Sequence, residues 1–348
     1  MENLPYGALA ALVGLSGGLV LGLAARLGDF CTLGALESSI YGGDHRRLRL
    51  WGIVLGTAIA GCYLAQAAGY IDLSQTLYQS VRWNPWASIV GGLVFGYGMA
   101  LAGNCGFGAL ARFGGGDLRS LVVVVVMAVF SFITLNGPLA PLRITLFPQI
   151  GAESSQNYAD LISGLTGLPP LAIALPVAVL CFAWALSYAP LRRSPRRLVW
   201  GLLAGLAVVW AFVGTAWLAD QSFGEVAIEG PSFTAPLGRT LIYLMTSTAG
   251  GITFSVGSVI GVMAGAFIGS SIRGLFRWEA CEDPRELGRQ VTGAALMGIG
   301  GVVALGCSVG QGVSAFATLA YSGPVTLACI GAGAVLGLRH LIGGFQPG

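Results

Sequence analysis

Two cysteines stand where a thiol would face a passing solute. Ala102-Gly103-Asn104-Cys105-Gly106-Phe107-Gly108 and Ala304-Leu305-Gly306-Cys307-Ser308-Val309-Gly310 each close a glycine-rich apolar run, Ile89 to Leu101 and Gly293 to Val303, and each precedes another such run. Glycine on both sides of a cysteine at a helix end invites the chain to unwind there and to present backbone N–H groups beside a thiol. Irregular backbone at membrane depth is tolerated only where it is buried in protein or lines a wet cavity. The paired turns therefore predict a solute path, with Asn104, Cys105, Gly106, Gly108, Gly306, Cys307, Ser308, Gly310 and Gln311 as its candidate lining. A third turn, Leu27-Gly28-Asp29-Phe30-Cys31-Thr32-Leu33-Gly34, follows the first apolar run and adds Cys31.

The remaining chemistry is thin. Seven cysteines with no C-x-x-C pair and wide spacing argue against a disulfide framework, a zinc site and a thioredoxin-like motif. With only His45 and His340 present, no metal centre and no cofactor are expected. Cys62, Cys181 and Cys329 lie inside apolar runs and read as packing, and Cys281, in a charged stretch, as incidental. Covalent sulfur chemistry needs an activated low-pKa cysteine, and no neighbouring His or Lys supplies one, so an enzyme is not expected.

The elements that must hold these turns follow from composition. Charged residues are 9% of the chain, against about 25% in soluble domains, and hydrophobic ones are 55%. This is the profile of an all-α integral membrane protein, a single polytopic domain over 1–348. Apolar runs predict about nine spans, 7–27, 48–69, 86–103, 119–137, 171–189, 197–217, 254–272, 288–304 and 322–342, with short re-entrant or broken helices at the cysteine turns. The 55 glycines read as close helix packing and broken helices. The first run is followed by arginine and lacks a basic leader, so it reads as a retained span. Segment 237–250 is too short and reads as a partial or interfacial helix.

Every one of the 18 basic residues is arginine, and in the nine-span topology 15 fall on one side and three, Arg82, Arg143 and Arg239, on the other. The positive-inside rule then places the N-terminus outside and the C-terminus inside. Asp29 and Glu37 are expected to pair with Arg26 and the basic loop after it, and Tyr78, Trp83 and Trp86 to form an interfacial belt. The long outer connections, 138–170 and 218–236, read as lids or short interfacial helices. An odd span count makes the Cys105 and Cys307 units an inverted pseudo-two-fold pair. Residues 1–137 (spans 1–4) form one repeat half, 138–236 the outer loops with spans 5–6, and 237–348 (spans 7–9) the other half. Inverted repeats with discontinuous helices around a midplane site are a recurring transporter plan.

The Phe-Cys turn after span 1, the Gly-x-Cys-x-x-Gly-type turn after span 3, Gly274-Leu275-Phe276-Arg277-Trp278 and the turn around Cys307 together resemble the YeeE/YedE sulfur-transport family of bacterial inner-membrane proteins. The resemblance implies thiosulfate uptake along an hourglass-shaped path with a cysteine at successive levels, by position Cys31, Cys105 and Cys307. It also implies a small cytoplasmic sulfur-carrier partner of the TusA-like kind. No arginine sits at the centre of a span, so a dianion would be held by helix N-termini, backbone N–H groups and neutral thiols, each contact weak enough to release it. The rival readings are a membrane thiol oxidoreductase, a non-selective small-anion channel in which the cysteines only pack, and a transporter of selenium compounds.

Overall fold

The computed structural model describes residues 5–248, 250–280 and 283–343, so Cys281 lies outside the described residues. Among them the chain is helical, with turns and isolated bridges and no strand. The first third holds α1 (Tyr6–Leu27), α2 (Thr32–Ile40), α3 (Arg46–Ala67), α4 (Leu77–Ser80), α5 (Pro85–Ala102), α6 (Gly106–Gly114) and α7 (Leu118–Leu135). The middle holds α8 (Ala140–Leu146), α9 (Tyr158–Thr166), α10 (Pro170–Leu186), α11 (Ala189–Arg192) and α12 (Pro195–Gln221). The last third holds α13 (Ala235–Thr246), α14 (Phe254–Ile272), α15 (Pro284–Val303) and α16 (Ser322–Gly343), with a π-helical turn, Gly310–Ala315, between the final two.

All nine segments expected to span are helical, and seven helical stretches are long and apolar enough to cross a membrane. The chain is a multi-pass membrane protein. The two that fall outside that measure do so for different reasons. α10 has 17 residues, about 25 Å of helix against a hydrocarbon core of about 30 Å. α15 has 20, but opens on Arg285, Glu286 and Arg289, which dilute its apolar character. α13, which overlaps the segment 237–250 expected to be partial, has 12 residues, too few to span. The long connection 138–170 contains the short helices α8 and α9, whereas 218–236 holds only the end of α12 and the start of α13.

Side-chain caps start several helices where the sequence changes character. Asn84 accepts from the N–H groups of Trp86 and Ala87 with Pro85 in the first turn of α5, Asp117 accepts from Arg119 N–H at α7, and Asp283 accepts from Arg285 N–H at α15.

Glycine then sets how closely the helices lie. α1 packs along α14, α5 lies against both α15 and α16, and α3 packs on α10 and α12. Along the first seam a Cβ on Gly18 would stand 2.3 Å from the Ser258 carbonyl oxygen, and one on Gly261 2.3 Å from that of Leu15. Along the second, a Cβ on Gly98 would stand 2.6 Å from the Gly293 oxygen and one on Gly293 2.5 Å from the Gly98 oxygen. No side chain fits at such separations, so backbones touch directly, the small-residue packing that drives helix association in lipid. These seams fix α1, α5 and α15, the three helices whose C-terminal ends run into Cys31, Cys105 and Cys307.

Candidate functional site

The three cysteine turns share one construction. Two residues before each cysteine the backbone enters the left-handed region, at Asp29 (φ 59°), Gly103 (φ 74°) and Leu305 (φ 60°), and three residues after each stands a glycine. Glycine adopts that conformation freely at 103, whereas Asp29 and Leu305 pay about 1–2 kcal/mol for it. At Asp29 the strain is offset by ion pairs to Arg197 (2.9 Å) and Arg273 (3.3 Å). At Leu305 it is offset by the Gly306 N–H donating to the Gly301 oxygen at 2.8 Å, a Schellman-type closure of α15.

Two of the turns aim amide hydrogens at sulfur. Cys105 is the N-cap of α6, and its Sγ accepts from Gly108 N–H at 3.4 Å. Cys307 Sγ accepts from Gly310 N–H at 3.3 Å and from Phe233 N–H, in the connection before α13, at 3.2 Å. Cys31 is the N-cap of α2 without a side-chain cap bond, its Sγ packed 3.7 Å from where a Gly34 Cβ would stand. After Cys307 the helix restarts as a π turn, with Ser314 N–H donating to the Val309 oxygen at 3.0 Å. Such turns recur at functional sites.

The turns converge. Thr32, next to Cys31, donates to Ser308 Oγ at 3.0 Å, and its hydroxyl lies 4.0 Å from Cys105 Sγ. Thr32, Cys105, Cys307 and Ser308 are all buried. Gly108 sits between levels: its Cβ would stand 3.7 Å from Cys105 Sγ and 3.9 Å from Cys31 Sγ. A line of tilted aromatic rings flanks this layer, from Trp51 to Phe30 (centroids 5.1 Å apart), to Phe107 (5.9 Å) and to Phe233 (5.3 Å).

Two cavities approach the buried layer. One, about 420 Å³, is lined by Leu305 and Gly306 of the Cys307 turn together with Tyr78, Ser232, Glu229 and Arg239. Its charges are paired, Arg239 to Glu229 at 3.0 Å. The other, about 210 Å³, is lined by Phe30, Cys31, Gly34 and Gly108 with Arg26, Arg47, Arg112 and Arg273. Cys105 and Cys307 line neither; with Thr32 and Ser308 they form the buried layer between the turns.

Of the remaining candidates, Asn104 and Gln311 are buried; Asn104 ties its turn to α7 and Gln311 ties back to the end of α15. Asn104 Nδ2 donates to Ser120 Oγ at 3.4 Å and Gln311 Nε2 to the Ala304 oxygen at 2.8 Å, and in each the amide oxygen has no partner. Gly106 and Gly310 are held by close contacts, since a Cβ would stand 2.6 Å from the Phe233 oxygen and 2.6 Å from Ser232 Oγ respectively. Asp29 pairs with Arg197 and Arg273 rather than with Arg26, because Arg26 is engaged by the Ala111 (3.0 Å) and Arg112 (3.2 Å) carbonyls that end α6. Trp86 is exposed as a belt residue should be, but Tyr78 is buried and lines the larger cavity. Cys62 is buried, and Cys181 and Cys329 half-buried, in their helices. Sequence reasoning missed Thr32 and the Phe233 amide. The recurring C-x-x-G, at Cys31 to Gly34, Cys105 to Gly108 and Cys307 to Gly310, was the signal that marks Thr32 as the partner of Ser308.

A family model described as sulphur transport matches residues 27–336, a stretch that contains all three cysteine turns. The chain belongs to the sulphur transport family. Within that family it is similar to the thiosulfate transporter TsuA of Escherichia coli (strain K12), 25% identical over 329 residues, covering 91% of this chain and 90% of that protein. It is also similar to the thiosulfate transporter TsuA of Spirochaeta thermophila (strain ATCC 700085 / DSM 6578 / Z-1203), 24% identical over 322 residues, covering 89% of this chain and 92% of that one. The family match thus embraces α2 to most of α16, including the α5 and α15 ends that run into Cys105 and Cys307.

Proposed function

We propose that this protein is a permease of the bacterial inner membrane that takes up thiosulfate, or a closely related small sulfur anion, into the cytoplasm. The observation that carries the reading is the waist: two cavities separated by a buried layer in which Cys105 and Cys307 accept backbone N–H groups and Thr32 bridges the turns. A sulfur that already accepts amide hydrogens keeps its own S–H free to donate. A neutral thiol then offers a weak donor to the soft terminal sulfur of a dianion, while the broken helix ends supply partial positive charge without a full cation that would trap it.

In this reading the Arg239 cavity faces the periplasm, together with the N-terminus, and the arginine-rich cavity faces the cytoplasm, together with the C-terminus. The ion passes Cys307, Cys105 and Cys31 in turn, between two inverted halves, and a small sulfur-carrier protein of the TusA-like kind receives it. No covalent bond forms.

A second reading rests on Cys307 alone. Two N–H groups aimed at one sulfur would equally suit a thiolate, the reactive form a membrane thiol oxidoreductase needs. Growth on thiosulfate as sole sulfur source separates these ideas. Cys105→Ala and Cys307→Ala each abolish growth while the protein remains in the membrane. Normal growth of both variants refutes the thiol path, and a cysteine-dependent mobility change on oxidation points to the redox reading.

A further inference from the structure

The arginine-rich cavity holds more positive charge than its own carboxylates balance. Four guanidiniums, Arg26, Arg47, Arg112 and Arg273, face two carboxylates, Asp29 and Glu37. Three of these six groups are committed. Arg26 holds the last carbonyls of α6, Arg273 bonds the Leu27 oxygen at 3.0 Å and Asp29, and Asp29 is clamped between Arg273 and Arg197. Arg47, at the start of α3, and Arg112, near the end of α6, make no side-chain hydrogen bond or ion pair among the described residues, and neither does Glu37.

Arg47 is placed for a ligand at the thiol. The point where a Gly34 Cβ would stand lies 2.9 Å from Arg47 Nη1 and 3.7 Å from Cys31 Sγ, so guanidinium and sulfur share the bare surface of one glycine. Glu37, one turn along α2 from Gly34, lies in the field of both Arg47 and Arg112. A cavity with two uncommitted guanidiniums, a thiol beside one of them and a formal excess of two positive charges matches a small dianion in charge, and guanidinium is the group that binds oxyanions in a bidentate way.

We propose that Arg47, Arg112 and Cys31 form a holding site for a small divalent oxyanion, and that Glu37 is its built-in competitor, weakening the site so that the ion leaves. The inference rests on the transport reading for its role, since it places the holding step after the waist, but the binding itself does not need the waist to conduct. Glu37 explains why two uncommitted arginines do not make a trap: its carboxylate shares their field and lowers their hold on a second anion.

The test is equilibrium binding of radiolabelled sulfate and radiolabelled thiosulfate to the purified full-length chain in detergent at low ionic strength. Both ions bind at one saturable site. Arg47→Gln and Arg112→Gln each weaken binding about tenfold, while Arg47→Lys keeps most of it. Glu37→Gln tightens binding severalfold, a gain that damaged folding does not produce. Cys329→Ala, in α16 and outside the lining of this cavity, binds as wild type does. Affinity unchanged in both arginine variants, affinity unchanged in Glu37→Gln, or no saturable binding overturns the proposal. Arginine-dependent binding alongside normal thiosulfate uptake by Cys105→Ala and Cys307→Ala keeps this site and refutes the thiol path. Loss of uptake in those two variants without arginine-dependent binding does the reverse.

Discussion

Gly108→Ala isolates the passage between the thiols from the stability of the fold. The added Cβ would stand 3.4 Å from Asn104 Cβ, 3.7 Å from Cys105 Sγ and 3.9 Å from Cys31 Sγ, all ordinary van der Waals distances. Gly108 lies in the first turn of α6 with ordinary helical backbone, so alanine is accommodated and adds up to about 1 kcal/mol of helix propensity. The same methyl occupies the space that a guest bridging the two sulfurs must use. Forcing one extra carbon into a packed site costs roughly 1–3 kcal/mol. At about 1.4 kcal/mol per tenfold, that cost slows passage roughly 5- to 150-fold. Initial-rate uptake of labelled thiosulfate, paired with a thermal melt of the purified protein, reads both effects. The expected result is slow uptake with an unchanged or raised melting temperature. Uptake within about twofold of wild type, in a protein whose Cys105 is essential, would refute the placement of the path between Cys105 and Cys31.

Gly261→Ala, whose Cβ would meet the Leu15 carbonyl at 2.3 Å, destabilises the α1/α14 seam by about 1–3 kcal/mol in a thermal melt. Gly331→Ala, with open space around its Cβ in α16, is neutral or slightly stabilising in the same assay. Thr32→Val removes the hydroxyl that donates to buried Ser308, costs about 1–3 kcal/mol in the melt, and slows uptake because the Cys31 and Cys307 turns lose their tie. Asp29→Asn keeps a residue that tolerates the left-handed backbone but loses both ion pairs, whereas Asp29→Ala also loses that tolerance. Alanine is therefore the more damaging in expression and melting temperature.

How much of this was legible depends on whether each feature leaves a mark in residue type. The apolar runs gave helix positions to within a few residues, as at 254–272, because a lipid-facing helix must be apolar along its whole length. The span count was harder to read, since α10 ends at Leu186 and α15 starts in a charged stretch, and neither the short length nor the charges break the apolar run that follows or precedes them. Cys105 and Cys307 stood out because glycine surrounds them. Thr32 did not, since a threonine beside an apolar run is common and its partner Ser308 is remote in sequence. The left-handed residues at 29 and 305 left no mark in the sequence because neither is glycine and tertiary contacts hold them there. Arg47 and Arg112 read as topology signals, and what distinguishes them from Arg26 and Arg273 of the same cavity is that those two are engaged by carbonyls and Asp29.

Labelled-thiosulfate flux into vesicles carrying wild type, Cys105→Ala or Cys307→Ala, with sulfate and chloride flux measured beside it, tests the central claim most directly. Thiols at the waist that admit a soft sulfur anion predict thiosulfate flux well above sulfate and chloride in wild type and its loss in each alanine variant. Thiosulfate flux that persists in both variants, or that never exceeds sulfate and chloride flux, would contradict it.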